Sequence, residues 1–400
     1  ISFTYNSGLT TEQNGSELAN AIQNLLPGDR LLIGPGTYTM TSRFDVAVQG
    51  SENAPIWIEG TNPLSMPVIT RSESYINNMN VGESLPARYI RFRWLEFTGG
   101  NDLIGLYDCS QIWIDQCLIH DGNGAGISAN TVDTSYLYIT QNEIYSPGNG
   151  GVTGEGMVFG SDYGSVRMSW SVIAMNWVHD IHGTSQADGI EIKQGSHHNW
   201  IIGNLVHDTY AVGILADGTY GNGQNVIESN VIRNNDIHSL QVQGDAVVRN
   251  NLIMSGLLNA FYSGDNQGTA NNLQFVHNTI ITSGAGATIR NWGGKSGMVF
   301  ANNVVYSENS DSVQFFQGLS GVAFTGNVVL GAVTGPSSGF VYGNGLGDFM
   351  NATWNGSQID ARPSVGSAVL DRGDVTYWVL LDMDLNVRNI PVDAGAFGGN

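Results

Sequence analysis

The sequence predicts an all-β solenoid, a single stack of short parallel strands, and three observations carry that prediction. The first is composition: 53 glycines, only 10 prolines and 12% charged residues in 400 suit many short strands with tight turns and disfavour long exposed helices. The second is a recurring aliphatic, Asn, aliphatic segment: "QNEIY" at Asn142, "MNWVH" at Asn176, "GNLVH" at Asn204, "SNVIR" at Asn230, "NNLIM" at Asn251, "HNTII" at Asn278, "NNVVY" at Asn303 and "GNVVL" at Asn327. Successive steps run from 21 to 34 residues, and Cys117 in "QCLIH" holds the same place 25 residues before Asn142. Self-similarity at such a period marks coils that stack neighbour on neighbour, with loops of variable length at one corner. The third is a second strand in each unit, "AGISA", "GMVFG", "DGIEIK", "VGILAD", "SLQVQG", "AFYSG" and "ATIRN", where small residues precede alternation at period two.

Each element follows from local chemistry. Near the start, "NGSELANAIQNLLPGDRLLIGPGTYTM" places Leu18, Ala21, Ile22 and Leu25 on one helical face behind Ser16 as the expected N-cap, then a "PGD" turn and a strand. An amphipathic helix within residues 1–30 is expected to cap the first coil, since a solenoid must cover its terminal sheet edges. Coils are expected from about residue 31 to 335, with the aligned asparagines as an inward ladder bonding turn backbone and the next coil. From about residue 336 to 400, "SVGSAVLDRGD" through "IPVDAGAFGGN" is expected to cap the other end, so that 1–400 forms one domain. Cys109 and Cys117, eight positions apart, admit one local disulfide or a structural pair of thiols.

With this coil period and Asn ladder, the chain resembles the right-handed parallel β-helix superfamily, the fold of pectate lyases, polygalacturonases, chondroitinase-B-like and alginate lyases and some epimerases. The resemblance spans about residues 30 to 335; "NAPIWIEGTNPLSMPVI" and "LPARYIRFRWLEFTGG" are similar to the opening coils of secreted lyase-like members, and the C-terminal segment to their closing one. It implies a right-handed single-stranded parallel β-helix with an N-terminal capping helix, whose partner is a polysaccharide or oligosaccharide.

A formal charge of −20, with Lys193 and Lys295 the only lysines, argues against nucleic acid or an anionic membrane surface as partner. Holding an acidic polymer then requires a cation or a local basic cluster. Hard divalent cations take oxygen ligands, so calcium is the expected cofactor, with Asp188, Glu191 and Asp217 as its ligands. No run is long enough to span a bilayer, and the start at Ile1 together with sequons at Asn14, Asn351 and Asn355 agrees with a processed, secreted protein.

The stretch "DGIEIKQGSHHNWIIGNLVHD", residues 188–208, concentrates the candidate chemistry. Phasing on Gly189 and Ile190 turns Ile190 and Ile192 inward and Glu191 and Lys193 outward, Glu191 beside Val158 and Leu215 and Lys193 beside Gly160 and Asp217. Glu155, Asp188 and His238 form another column. Three residues after the ladder stand His120, Tyr145, His179, His207 and Arg233, each followed by Asp121, Ser146, Asp180, Asp208 and Asn234; a column with about 4.8 Å per coil makes a groove suited to a linear polymer. The insertion "SPGNGGVTGEGMVFG" beside it is expected to carry binding. Trp200, Tyr210, Tyr220, Tyr262 and Trp292 are expected at outward or turn positions where they stack on sugar rings.

Two reactions suit these residues. β-Elimination on a uronate needs a cation for the carboxylate, a base for the C5 proton and an acid for the leaving oxygen. The catalytic candidates are Lys193, Asp188, Glu191, His207, His179 and Glu155, with Lys193 or His207 as base, calcium as electrophile and Tyr145 or a histidine as acid; Tyr145, Arg233, His238, Trp200 and Tyr210 are the binding candidates. The alternative is a glycoside hydrolase using a carboxyl pair drawn from Glu155, Asp188, Glu191 and Asp217. A third class is a non-catalytic carbohydrate-binding or structural β-helix at the cell surface. "DGIEIKQGS" resembles the "DG-x-D-x-K-x-GS" stretch of pectate lyases, and "DGIEI" the "TDGID" segment of polygalacturonases. The chain departs from each: "HDTYAVGILADG" lacks the lysine and arginine that follow "HD" in pectate lyases, Ala216 stands where chondroitinase-B-like lyases place arginine, and no "GDD", "GHG" or "DPH" occurs.

Overall fold

Each coil depends on one turn, repeated. A residue in the left-handed conformation (Gln116, Gln141 and Met175 at φ 53°, 56° and 58°) breaks the preceding strand and swings the next side chain into the coil. When that next residue is asparagine, its amide can satisfy the turn's own backbone. Asn142 shows how: its Oδ1 accepts the Cys117 backbone N–H (2.9 Å), while its Nδ2 donates to the Ile114 carbonyl and to Asn176 Oδ1, each at 2.9 Å. The expected ladder is present, and Cys117 takes its place in the first of these rungs. Asn204, Asn230, Asn251, Asn278, Asn303 and Asn327 repeat the pattern.

The computed structural model describes residues 1–148, 153–183, 186–266 and 268–399, so part of the long insertion, residues 149–152, lies outside the described residues. These residues divide into two compact units, 1–199 and 200–400. In the first, each coil has three strands rather than the expected two. One coil runs Ala87–Arg93, Glu96–Gly99 and Ile104–Leu106; the next runs Cys109–Asp115, Leu118–His120 and Ile127–Ala129. Each strand pairs in parallel with its counterpart one coil away, as in Ile112↔Leu137, Ile119↔Ile144 and Ile127↔Met157. Three faces result, with Ile112, Ile119 and Ile127 buried between them. On the outside of the first face, Arg91 lies between Trp57 and Trp113 (4.7 and 4.3 Å to the ring centres), and Tyr138 stacks on Trp113 at 4.8 Å.

The capping helix spans Thr11–Gln23. Its N-cap is Thr10, six residues before the expected Ser16, because Thr10 and Gln13 form a reciprocal capping box that satisfies two otherwise unpaired amides. Leu18, Ile22 and Leu25 are buried as expected. Gly15 lets the helix lie on the strand Thr37–Thr39: a Cβ there would stand 2.2 Å from the Thr39 carbonyl oxygen. Asn14 is wholly buried and bonded to Asn6 and Thr10, which closes that sequon in the folded protein; Asn351 and Asn355 are exposed. Cys109 and Cys117 are both free thiols, and burial pushes each up to about 12.

The second unit repeats the plan. Its second-face strands include Leu205–Thr209, Val231–Asn235 and Leu252–Gly256, its third-face strands Ile214–Ala216, His238–Val242 and Asn259–Ser263. Inside it, Phe261, Phe275, Phe300 and Phe324 form a continuous ring stack. The C-terminal segment does not simply close the last coil. Val369, Ala394, Ala396 and Phe397 pack on the outward residues Leu252, Met254, Ile281, Val304 and Tyr306, covering a flank. That flank is apolar on its outer side, so covering it takes hydrocarbon out of water. Arg388, buried, fastens the segment through Asn250 Oδ1 and the Gly395 and Ala396 carbonyls, all at 2.9 Å. No helix among the described residues is long and apolar enough to cross a membrane.

Candidate functional site

The third face of the first unit carries the densest candidate chemistry. Met157–Phe159 and Ile190–Ile192 pair as Met157↔Ile190, Val158↔Glu191 and Phe159↔Ile192, which turns the isoleucines inward and Glu191 outward as phased. Outward is not exposed here. Glu191 is 2% exposed and Lys193 8%, a correction to the expectation of a projecting lysine. Lys193 Nζ lies 2.8 Å from Glu191 Oε1 and 3.0 Å from Asp162 Oδ1, the latter on a short turn, Asp162–Gly164, whose Tyr163 amide donates to Gln194 Oε1. Gly160 permits this approach: a Cβ there would stand 2.7 Å from Ser196 Oγ and 3.4 Å from Lys193 Cβ.

The electrostatics follow from burial and the pair. Burial opposes the charge on Lys193, but Glu191 and then Asp162 more than offset it, so the ammonium holds its proton more firmly than an ordinary lysine. Lys193 is thus held as a cation in this pair, whereas the sequence offers Lys193 or His207 as base. Burial lifts the Glu191 carboxyl, with Lys193 pulling the other way, and Glu191 Oε2 is buried with no hydrogen-bond partner. Glu155, also buried, is pushed up to about 7, first by burial and then by the Glu191 charge, with Lys193 opposing. Asp188 neighbours it in register, its carbonyl accepting the Gly156 amide at 2.9 Å. Asp162 and Gln194 were not anticipated. "SDYGS" carries only a turn signal, and nothing in its spacing shows that the turn folds back over Lys193.

The His column of the first unit lies on the second face instead. His120, Tyr145 and His179 stack ring on ring at 4.8 and 5.3 Å, and each His Nδ1 bonds the following aspartate, at 2.8 Å for Asp121 and 2.9 Å for Asp180. Those aspartates have φ 56° and 51°, a left-handed backbone that few L-residues other than Asp and Asn accept. In the second unit, His207 pairs in register with Arg233 and holds Asp208 at 2.5 Å. His238 stacks on Tyr262 at 4.8 Å and burial pushes it down to about 4. Asp217 is buried, while Trp200, Tyr210 and Tyr220 are exposed as expected. Trp292 is the exception: wholly buried, it donates from Nε1 to Ser263 Oγ at 2.9 Å and cannot meet a sugar.

Residues 165–305 match the family model described as "Right handed beta helix region". The chain is a right-handed parallel β-helix. No curated protein sequence matches it. Among solved structures, the β-helix is similar to XylC in complex with xylose (TM-score 0.59, 12% identity, 86% of each chain covered) and to pectate lyase Pel9A (TM-score 0.51, 15% identity, covering 100% of this chain and 97% of that one). An alginate lyase from Paenibacillus sp. str. FPU-7 aligns at TM-score 0.49 and 19% identity, over 83% of this chain and 99% of that one.

Calcium does not suit the donor set of this β-helix as found. The Lys193 ammonium already occupies one oxygen of Glu191, where a divalent ion would meet it as a like charge, and no three Asp, Glu, His or Cys side chains converge on one point among the described residues.

Proposed function

We propose that this β-helix is a secreted enzyme that cleaves an acidic, uronate-containing polysaccharide by β-elimination. One observation carries the reading: a buried lysine cation, held by Glu191, whose charges are felt by Glu155, a carboxyl pushed up to about 7 chiefly by burial. The similarity in fold to a pectate lyase and to a structure holding xylose supports this reading. Lys193 stabilises the substrate carboxylate as negative charge builds on it, displacing the half-exposed Asp162. Glu155 takes the C5 proton, the C4–O bond breaks as the C4–C5 double bond forms, and the proton on Glu155 passes to the departing oxygen. A base with a pKa near neutrality suits that double duty.

Because both Glu155 and Glu191 are lifted by burial, hydrolysis by a carboxyl pair is the second reading. The two separate by product. On pectate, alginate and neutral glycans, elimination produces an ultraviolet-absorbing unsaturated end and hydrolysis produces reducing ends without it. Absorbance lost in Lys193→Met and Glu155→Gln supports elimination; new reducing ends with no absorbance support the hydrolase; no product from any polymer removes both.

A further inference from the structure

On the third face of the first unit, Glu191 stands in a continuous outward column: Asn80↔Gly105, Gly105↔Ser128, Ser128↔Val158 and Val158↔Glu191. At Asn80 this column borders a polar pocket of about 340 Å³ lined by Arg43, Tyr75, Ile76, Asn77, Asn80 and Tyr107. The pocket is preorganised. Asn77 Nδ2 donates to Asn80 Oδ1 (3.0 Å) and Tyr107 Oη (3.3 Å), and Asn77 Oδ1 accepts from Asn101 Nδ2 and the Asp102 amide (3.3 and 3.2 Å). Gly105 makes room for it, since a Cβ there would stand 2.8 to 3.0 Å from Asn77, Asn80 and Tyr107. Above this floor Tyr75 is 79% exposed, an unburied aromatic ring beside fixed amides.

We infer that this pocket is a distal subsite for a hydroxylated pyranose ring of the same polymer, an inference that rests on the proposed site at Glu155 and Lys193. Four rungs separate Asn80 from Glu191, about 19 Å at the spacing of paired strands, or roughly four sugar units of an extended chain. The pocket selects ring face and hydroxyls rather than a carboxylate. Its one cation, Arg43, is already paired with Glu83, whose second oxygen takes Asn80 Nδ2. Tyr75 offers a stacking face, and the amides and the Tyr107 hydroxyl offer hydrogen bonds, which hold a sugar ring through its face and hydroxyls.

The test is calorimetric binding of galacturonate and mannuronate oligomers of three and six units to the whole chain and to Tyr75→Ala, Tyr75→Phe and Asn77→Ala, with turnover of the same oligomers measured in parallel. The expected result is a preference for the hexamer that falls roughly tenfold, relative to the trimer, in Tyr75→Ala and Asn77→Ala and is kept in Tyr75→Phe. A hexamer preference indifferent to Tyr75, equal weakening of trimer and hexamer, or no binding of either oligomer overturns the subsite. Tyr75-dependent hexamer binding without any turnover leaves the subsite standing and refutes the chemistry proposed at Glu155 and Lys193. Tyr75 is largely exposed, so its replacement does not threaten the fold.

Discussion

Replacing Lys193 by methionine tests the site and its energetics together. The substitution keeps the aliphatic stem and removes the charge, leaving Glu191 buried at 2% exposure with neither oxygen paired to a cation. An isolated buried carboxylate costs several kcal/mol, but Glu191 can escape by taking a proton, which caps the loss. From an ordinary carboxyl value of 4.5, holding that proton at pH 7 costs about 1.4 kcal/mol per unit over about 2.5 units, or roughly 3 kcal/mol. The sign is fixed: the folded variant binds a proton that the unfolded chain releases above about pH 4.5, so its deficit shrinks as pH falls toward that value and grows as pH rises. Urea unfolding followed by circular dichroism at pH 5, 6 and 7 measures this. Lys193→Met/Glu191→Leu, which removes both charges, is expected to recover to within about 1 kcal/mol of the wild type while remaining inactive. A loss below about 1 kcal/mol for Lys193→Met at pH 7, with no slope against pH, would refute the buried pair and return Lys193 to the status of a surface lysine.

Three further outcomes are expected. Turnover of the wild type rises with pH through about 7 as Glu155 becomes the carboxylate, and Glu155→Gln abolishes that limb with a loss of at least about 100-fold in kcat. Asn230→Ala leaves the Asn204 backbone amide buried without an acceptor and breaks the amide chain to Asn251 and the Ile201 carbonyl, so chemical denaturation should show a loss of about 2 to 4 kcal/mol. His277 is held neutral, pushed down to about 3 by burial and then by Arg388; its contribution is complete above the ordinary histidine value near 6.5 and is lost as pH falls through the window below it, so His277→Gln should flatten the acid side of the stability curve between about pH 6.5 and 4.

Much of the fold was legible because its determinants are local. The ladder asparagines recur at coil period, and each performs in the structure the bonding its spacing implied. The first-face strand of each coil was harder to see. "ARYIRFR", "CSQIWID" and "TSYLYIT" lack a repeated marker residue, and their outer positions mix arginine, tryptophan and tyrosine, which only their mutual stacking explains. The helix began early because the capping box at Thr10 to Gln13 competes better than a lone serine. In the site, alternation gave the direction of Glu191 and Lys193 but not their burial, since the turn at Asp162 that folds onto Lys193 is 31 residues away in the chain.

The two polar columns differ in what the fold itself requires. Aspartate and asparagine are among the few L-residues that accept left-handed backbone, and Asp121, Asp180, Asp208 and Asn234 all sit there, at φ 51° to 56°. A recurring "HD" is thus accounted for by a turn that needs such a residue and a preceding imidazole that shares its carboxylate. No comparable need explains Lys193. Its coil has a left-handed glycine, Gly195, for the turn and isoleucines for the core, and a buried ammonium adds desolvation that a leucine at the same place would avoid. Glu191 and Asp162 then exist in this structure as partners to a charge the scaffold does not demand, and Glu155 is lifted to about 7 partly by one of those partners. Perturbed carboxyl groups around an otherwise unnecessary cation are what chemistry on a carboxylated substrate would require, which is why the third face, and not the more conspicuous histidine column, is the place to cut first.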